Sequence, residues 1–254
     1  MGGLDWVVVD GESVDMDFEA DLVLKAKKIE EIKSDKIAKL RILAFDIEVV
    51  EENGKQKIVL VSFYGENFKK VITYRQADYP DYVKVVDDER ELLEEFVKTV
   101  KEYNADVLVG YNSDLYDFDV LIKRAEELKV DLILSRDRTP VRFSKRARVT
   151  TARIKGRVHI DIFNFINNIV SPALQTEVLT LDAVSAELLG DEKIEMEYEE
   201  MMEAWKKKKD LAKFAEYCLK DSELTFRLAE TLLPQIFELT RLVGQSVFDV
   251  SRMT

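Results

Sequence analysis

Asp46 and Glu48 stand two residues apart at the close of the apolar run Leu40-Arg41-Ile42-Leu43-Ala44-Phe45. A short run of this kind reads as a largely buried strand. Strand side chains alternate, so both carboxylates point to one face. Two acids side by side at the end of a buried strand repel each other and need a cation or protons to coexist. The plainer alternative is a strand whose polar end meets water. A second feature, Tyr111-Asn112-Ser113-Asp114-Leu115-Tyr116-Asp117-Phe118, follows the buried run Val107-Leu108-Val109 and opens a helix. Asn112, Ser113 and Asp114 suit an N-cap, and an acid at Asp117 is favoured by the helix dipole. The same geometry offers free N–H groups and Asn112 to a phosphate, with Asp117 available to complete a metal site. The third feature is Tyr217-Cys218-Leu219-Lys220-Asp221, inside a strongly helical stretch. Tyr217 and Asp221 share a helix face, although Lys213 and Lys220 would serve Asp221 as ordinary surface partners.

Composition narrows the metal chemistry. The chain has one cysteine, Cys218, and one histidine, His159. An internal disulfide is excluded, and a reducing, intracellular compartment such as the cytoplasm fits. A tetrahedral Cys/His zinc site needs about four such ligands. Any metal must be held mainly by oxygen, which favours Mg²⁺ or Mn²⁺. No apolar run approaches the roughly 20 residues that span a bilayer, and the first residues lack the basic-then-apolar layout of a signal peptide. The formal net charge of −12 argues against a nucleic-acid partner. Its distribution argues the other way, because residues 136–157 hold nine Lys/Arg against one acid. A basic strip on an acidic body can track phosphates, or can be a solvated face.

The elements that must position these groups follow from periodicity. Residues 1–37 read as an appendage, with a strand at Trp6-Val7-Val8-Val9 and a Lys/Glu-rich helical stretch after it. Asn53-Gly54 signals a hairpin, followed by strands over 58–64 and 70–74. Residues 88–103 carry helical periodicity, with Leu92, Leu93, Phe96, Val97 and Val100 on one face. A helix is expected over 116–128 and a strand at 132–134. Residues 141–162 alternate as a ribbon of strands. Helices follow at about 163–169, 180–189, 196–205 and 209–233, with Pro234 expected to interrupt or kink the last. A short helix then runs to Val243, with Gly244 as its C′ residue. The order is mixed α/β and compatible with a ribonuclease-H-like sheet.

Taken together and in order, the three acidic features resemble the DEDD superfamily of 3′→5′ exonucleases, and most of all the proofreading domain of archaeal-type family B DNA polymerases. The motifs are Phe45-Asp46-Ile47-Glu48, Tyr111 to Asp117, and Tyr217 to Asp221. Gly156-Arg157-Val158-His159-Ile160-Asp161, Leu179-Thr180-Leu181-Asp182-Ala183-Val184 and Phe248-Asp249-Val250-Ser251-Arg252-Met253-Thr254 are similar to further family segments, the last of them the join toward the polymerase palm. The resemblance covers about residues 38–254. The first 37 residues match poorly.

This resemblance implies an α/β fold with a ribonuclease-H-like mixed five-stranded sheet, flanked by helices and carrying an inserted β-hairpin. It divides the chain into an appendage at 1–37, an exonuclease domain at 38–233 and a helix and join at 234–254. It implies hydrolysis of DNA 3′ ends to nucleoside 5′-monophosphates with two divalent ions, Mg²⁺ or Mn²⁺. Asp46 would bridge the ions, Glu48 and Asp221 would hold the one beside the attacking water, and Asp117 the other. Tyr217 would orient the water, which marks the tyrosine subtype, since His159 lies far upstream of Asp221. Asn112 would meet a phosphate. Tyr116 would pack against the terminal nucleotide or else be a core aromatic. Arg142, Lys145, Arg146 and Arg148 would contact DNA from the hairpin. The partners implied are a single-stranded 3′ end and the remaining polymerase domains, in cis or as a separate subunit, with no membrane. An RNA-processing exonuclease of the same fold and a catalytically silent DNA-binding or scaffolding module are the competing readings.

Overall fold

The computed structural model describes residues 6–32, 38–52, 54–146, 149–191 and 198–253. Its centre is a six-stranded mixed sheet built from β3 (Ile42–Glu52), β4 (Lys55–Gly65), β5 (Phe68–Thr73), β6 (Val83–Val85), β7 (Val107–Gly110) and β10 (Val158–Asp161). The spatial order is β10-β7-β3-β4-β5-β6. β3, β4 and β5 form an antiparallel meander, while β7 joins β3 and β10 joins β7 in parallel. The parallel pairs need crossovers. One is α1 (Glu89–Tyr103), which packs beside α2 (Asp117–Leu128) on one face of the sheet.

Strand alternation decides which residues meet which layer. Leu43, Phe45 and Ile47 of β3 point into a core with Phe63, Phe96 and Phe118, where the Phe45 ring meets Phe96 and Phe118 edge to face. The opposite face is covered by the long helix α6 (Leu211–Val243). Val50, Val59 and Val71 pack there with Phe214, Cys218 and Trp205. The second half of α6 covers β7 and β10 through Leu228, Leu232 and Ile236, joined by α4 (Leu181–Leu189) and α7 (Val247–Val250). α1 starts as its sequence suggests, with Asp88 accepting from the Glu91 amide. α5 (Tyr198–Lys207) precedes α6.

Several expectations are corrected. The sheet has a sixth strand, Val83–Val85, too short to leave a periodic signal. The Lys/Glu-rich stretch after Trp6 is not helical. Leu24–Ile32 is a strand, β2, paired antiparallel with β1 (Trp6–Ser13), because its neighbour supplies a ladder of backbone partners along its length, with one register shift between Asp10 and Gly11. Residues 132–134 form no strand. Leu134 is buried and its carbonyl accepts from Arg157 Nε at 2.8 Å, so a side chain satisfies the backbone there. The helix expected over 163–169 is short, α3 (Ile162–Phe165), and continues as a π-helical turn at Ile166–Val170. Pro234 does not interrupt α6. It lies inside one helix ending at Gly244, with φ of 69°. The apolar stripe from Leu228 to Phe237 runs unbroken past the proline, and its burial outweighs the lost hydrogen bond. Among the described residues no helix is long and apolar enough to cross a membrane.

Candidate active site

The Asp46-Ile47-Glu48 motif lies mid-strand, not at a strand end, since β3 continues to Glu52. β7 runs beside β3 only as far as Ala44, which pairs with Val109. Asp46 and Glu48 therefore lie past the end of a neighbouring strand, on the face covered by α6, and both are half-buried. Ile47 between them is in the core on the other face.

β7 ends at Gly110, and the chain turns back so tightly that a Cβ there would sit 2.4 Å from Ser113 Cβ. Only glycine fits. Asn112 then takes a left-handed conformation, φ 61°, and α2 begins at Asp117. The helix has no side-chain cap. Ser113 and Asp114 do not cap it because both point inward, to His159 and Arg252. Asp117 is buried in the first turn and accepts from the Ile47 amide, between the two acids of β3. Burial, and then the charge of Asp161, push the Asp117 carboxyl up to about 7.

The third motif arrives on α6. Tyr217, Cys218 and Asp221 are buried against the sheet. The Cys218 thiol lies 4.0 Å from Asp46 Oδ2, and Cys218, Asp46 and Glu48 each offer a ligand atom within 4.8 Å of the others. Burial, then Glu48 and Asp46, with a smaller contribution from Asp221, drive that thiol well above its ordinary range. One thiol thus senses acids from the first and third motifs, while the second is bonded to the backbone of the first. Asp46, Glu48 and Cys218 are thus grouped directly, Asp117 is tied to the backbone between the two acids, and Asp221 acts on the Cys218 thiol by charge.

The register of α6 on the sheet is set by buried hydroxyls. Ser62 lies opposite Asp46 in the β3–β4 ladder. Its Oγ donates to the Cys218 carbonyl at 2.6 Å and meets Ser222 Oγ at 2.5 Å. Sequence reading missed Ser62 and Ser222 because isolated serines carry no pattern. It also missed what Asp161 does. That residue accepts from the amides of Asn112 at 2.9 Å and Asp114 at 3.0 Å, so it holds the turn of the second motif. Burial and the neighbouring Asp114 push its carboxyl up to about 7. His159 is fully buried between Ser113 and the Ala152 carbonyl, and burial depresses it to about 4. It is a structural, neutral imidazole.

Tyr116 is 42% exposed and so is not a core aromatic. Arg142 is exposed on β8 (Arg142–Arg146), which pairs with β9 (Val149–Arg153) as the expected hairpin. Lys145 and Arg146 lie on the same strand, and Arg148 falls outside the described residues. The foot of the hairpin is tied to the second motif, with the Ala152 amide donating to Asp114 at 2.8 Å.

The model of the exonuclease domain of DNA polymerase family B matches residues 10–184. The chain belongs to this family. The match begins inside the segment read as an appendage and ends before Tyr217 and Asp221. The chain is 39% identical over 217 residues to DNA polymerase 1 of Pyrococcus abyssi, covering 84% of this chain and 28% of that protein. It is 37% identical over 217 residues to the DNA polymerase of Pyrococcus glycovorans, again with 84% of this chain and 27% of the relative. The chain therefore spans little more than a quarter of the length of these relatives. The family B DNA polymerase of Pyrobaculum calidifontis superposes with a TM-score of 0.81 at 24% identity, over 100% of this chain and 32% of that one, which shows a shared fold.

Proposed function

We propose that this exonuclease domain removes 3′-terminal nucleotides from single-stranded or frayed DNA as nucleoside 5′-monophosphates, proofreading for a family B polymerase. The observation that carries the reading is the grouping of Asp46, Glu48 and Cys218, whose ligand atoms lie within 4.8 Å of one another, with buried Asp117 bonded to the Ile47 amide between the two acids. A pair of half-buried carboxylates beside a buried one that burial and Asp161 raise toward neutrality would accept divalent cations, with Asp221 completing the set. The donors are chiefly oxygen, which suits Mg²⁺ or Mn²⁺. Asp46 would be shared by two ions, with Glu48 and Asp221 on one and Asp117 on the other. When bound, such ions activate water and neutralise the leaving oxygen of a phosphodiester.

The chain's own residues do the rest. β3 fixes Asp46 and Glu48 on one face, and the Ile47 amide orients Asp117. Tyr217, one helical turn before Asp221, hydrogen-bonds the attacking water and orients it. Asn112 meets the phosphate near the opening of α2, and exposed Tyr116 stacks on the terminal base, worth about 1–3 kcal/mol. Arg142, Lys145, Arg146 and Arg148 follow the DNA backbone along the hairpin. The partners are thus a DNA 3′ end and the other polymerase domains, in cis or as a separate subunit, inside the cell. In that assembly residues 38–233 form the nuclease body, 1–37 a remnant of the preceding domain, and 234–254 the join toward the palm.

The test is incubation of the purified chain with a 3′-labelled single strand, with Mg²⁺, Mn²⁺ or chelator. Metal-dependent release of labelled mononucleotide is expected. No release with either metal would overturn the reading, and faster release from a matched RNA strand would reassign the substrate.

A further inference from the structure

Behind the turn that carries Asn112 and Asp117 lie two carboxylates with 0% exposure, Asp114 and Asp161. Asp161 binds the turn from inside through the Asn112 and Asp114 amides, and accepts also from Phe163 N at 3.1 Å and Asn164 Nδ2 at 3.1 Å. Asp114 accepts from Ala152 N at 2.8 Å and from Asn164 Nδ2 at 3.2 Å. Amides satisfy lone pairs but bring no full charge. Two buried carboxylates bridged by one asparagine need a cation as well.

That cation is the Arg252 guanidinium, which comes from 138 residues downstream and has a side chain only 6% exposed. Its Nε donates to Asp114 Oδ2 at 2.7 Å. Nη1 donates to the carbonyls of His159 and Phe248, both at 3.1 Å, and Nη2 faces His159 Nδ1 at 3.2 Å. The group also stacks on the Phe248 ring, 4.0 Å from its centroid. The Nε and Nη1 donors of a planar fork are used here together, on a carboxylate and two carbonyls, and a lysine ammonium could not reproduce that geometry.

We propose that Arg252 is a positioning residue for the candidate active site: clamped on Asp114, it holds the Tyr111–Asp117 turn in the shape that delivers Asn112 and Asp117 to the acids of β3. Without it, the Asp114–Asp161 pair is left buried with its charge uncompensated. Relief comes by turning Asp114 outward or protonating it, and either change loosens the turn that Asp161 and Asp114 hold together. The link also makes the segment after α7 a condition for a complete site. The inference rests on the proposed function, since it is metal binding at Asp117 that the turn would govern.

The experiment is Mn²⁺ binding by the full chain, followed by electron paramagnetic resonance, for wild type, Arg252→Met, Arg252→Lys and the doubly neutral Asp114→Asn/Arg252→Met. Each protein is measured below its own melting temperature, with circular dichroism confirming the fold. Arg252→Met is expected to lose at least tenfold in Mn²⁺ affinity while folded, with Arg252→Lys in between. The double variant guards against failure of the single one to fold. It is expected to remain folded yet still bind Mn²⁺ at least tenfold more weakly, because the fork is gone. Wild-type affinity in either folded Met variant would overturn the role of Arg252. Absence of Mn²⁺ binding by wild type would instead overturn the proposed function beneath it.

Discussion

Ser62 donates to the Cys218 carbonyl at 2.6 Å, joining β4 to α6 directly across the ladder from Asp46. This bond fixes how far α6 slides along the sheet, and so where Tyr217 and Asp221, on either side of Cys218, sit relative to β3. Ser62→Ala should leave a buried carbonyl and the Ser222 hydroxyl short of a partner. The expected loss is about 1–3 kcal/mol of stability in urea denaturation, with mononucleotide release down at least tenfold below the melting transition. Unchanged release would separate helix register from the chemistry.

Burial and the charge of Asp161 make an ionised Asp117 costly in the metal-free protein. At about pH 8 in chelator, Asp117→Asn keeps an oxygen for the Ile47 amide while removing a charge. Its melting temperature is expected to exceed that of wild type. Mg²⁺ should stabilise wild type more than the variant, and so narrow or reverse the gap. A variant less stable in chelator would show that the acids are not in conflict.

Buried His159 gives a pH signature. It faces Asp114 and Arg252, and its pKa is lowered from 6.5 to about 4. A depressed folded pKa means that its contribution is fully present above about 6.5 and is lost as pH falls toward 4, by up to about 3 kcal/mol. Asp161 is raised and acts with the opposite sign, but it is common to wild type and a His159→Gln variant. The stability advantage of wild type over that variant should therefore shrink as pH falls from 6.5 to 4. A constant difference in chemical denaturation would contradict a neutral, buried imidazole.

The hairpin should govern salt dependence. Neutralising Arg142, Lys145, Arg146 and Arg148 removes four positive charges, so the slope of log affinity against log salt for a single strand should flatten by up to about 3. Fluorescence anisotropy across a salt series measures it. An unchanged slope would assign the ribbon to folding.

The parts of the molecule legible in sequence are those whose signal is local. Strand alternation puts Asp46 and Glu48 on one face, helical spacing puts Tyr217 above Asp221, and Gly110 ends β7 where its apolar run stops. The missed parts depend on distant partners. Leu24–Ile32 is a strand only because β1 lies beside it, and Pro234 stays inside α6 only because the stripe around it is buried. Asp114 has the composition of a helix cap, yet it is drawn inward by Arg252, far along the chain. Polar residues in a core are chosen by their partners, and no periodicity announces them.

In the proposed function Asp46 and the three other acids act as one site. The most direct measurement is the single-turnover rate of labelled mononucleotide release in Mg²⁺ by purified wild-type and Asp46→Ala protein, with circular dichroism confirming that both are folded. The account predicts a loss of at least about a thousandfold in the variant. Release at the wild-type rate from folded Asp46→Ala protein would contradict it.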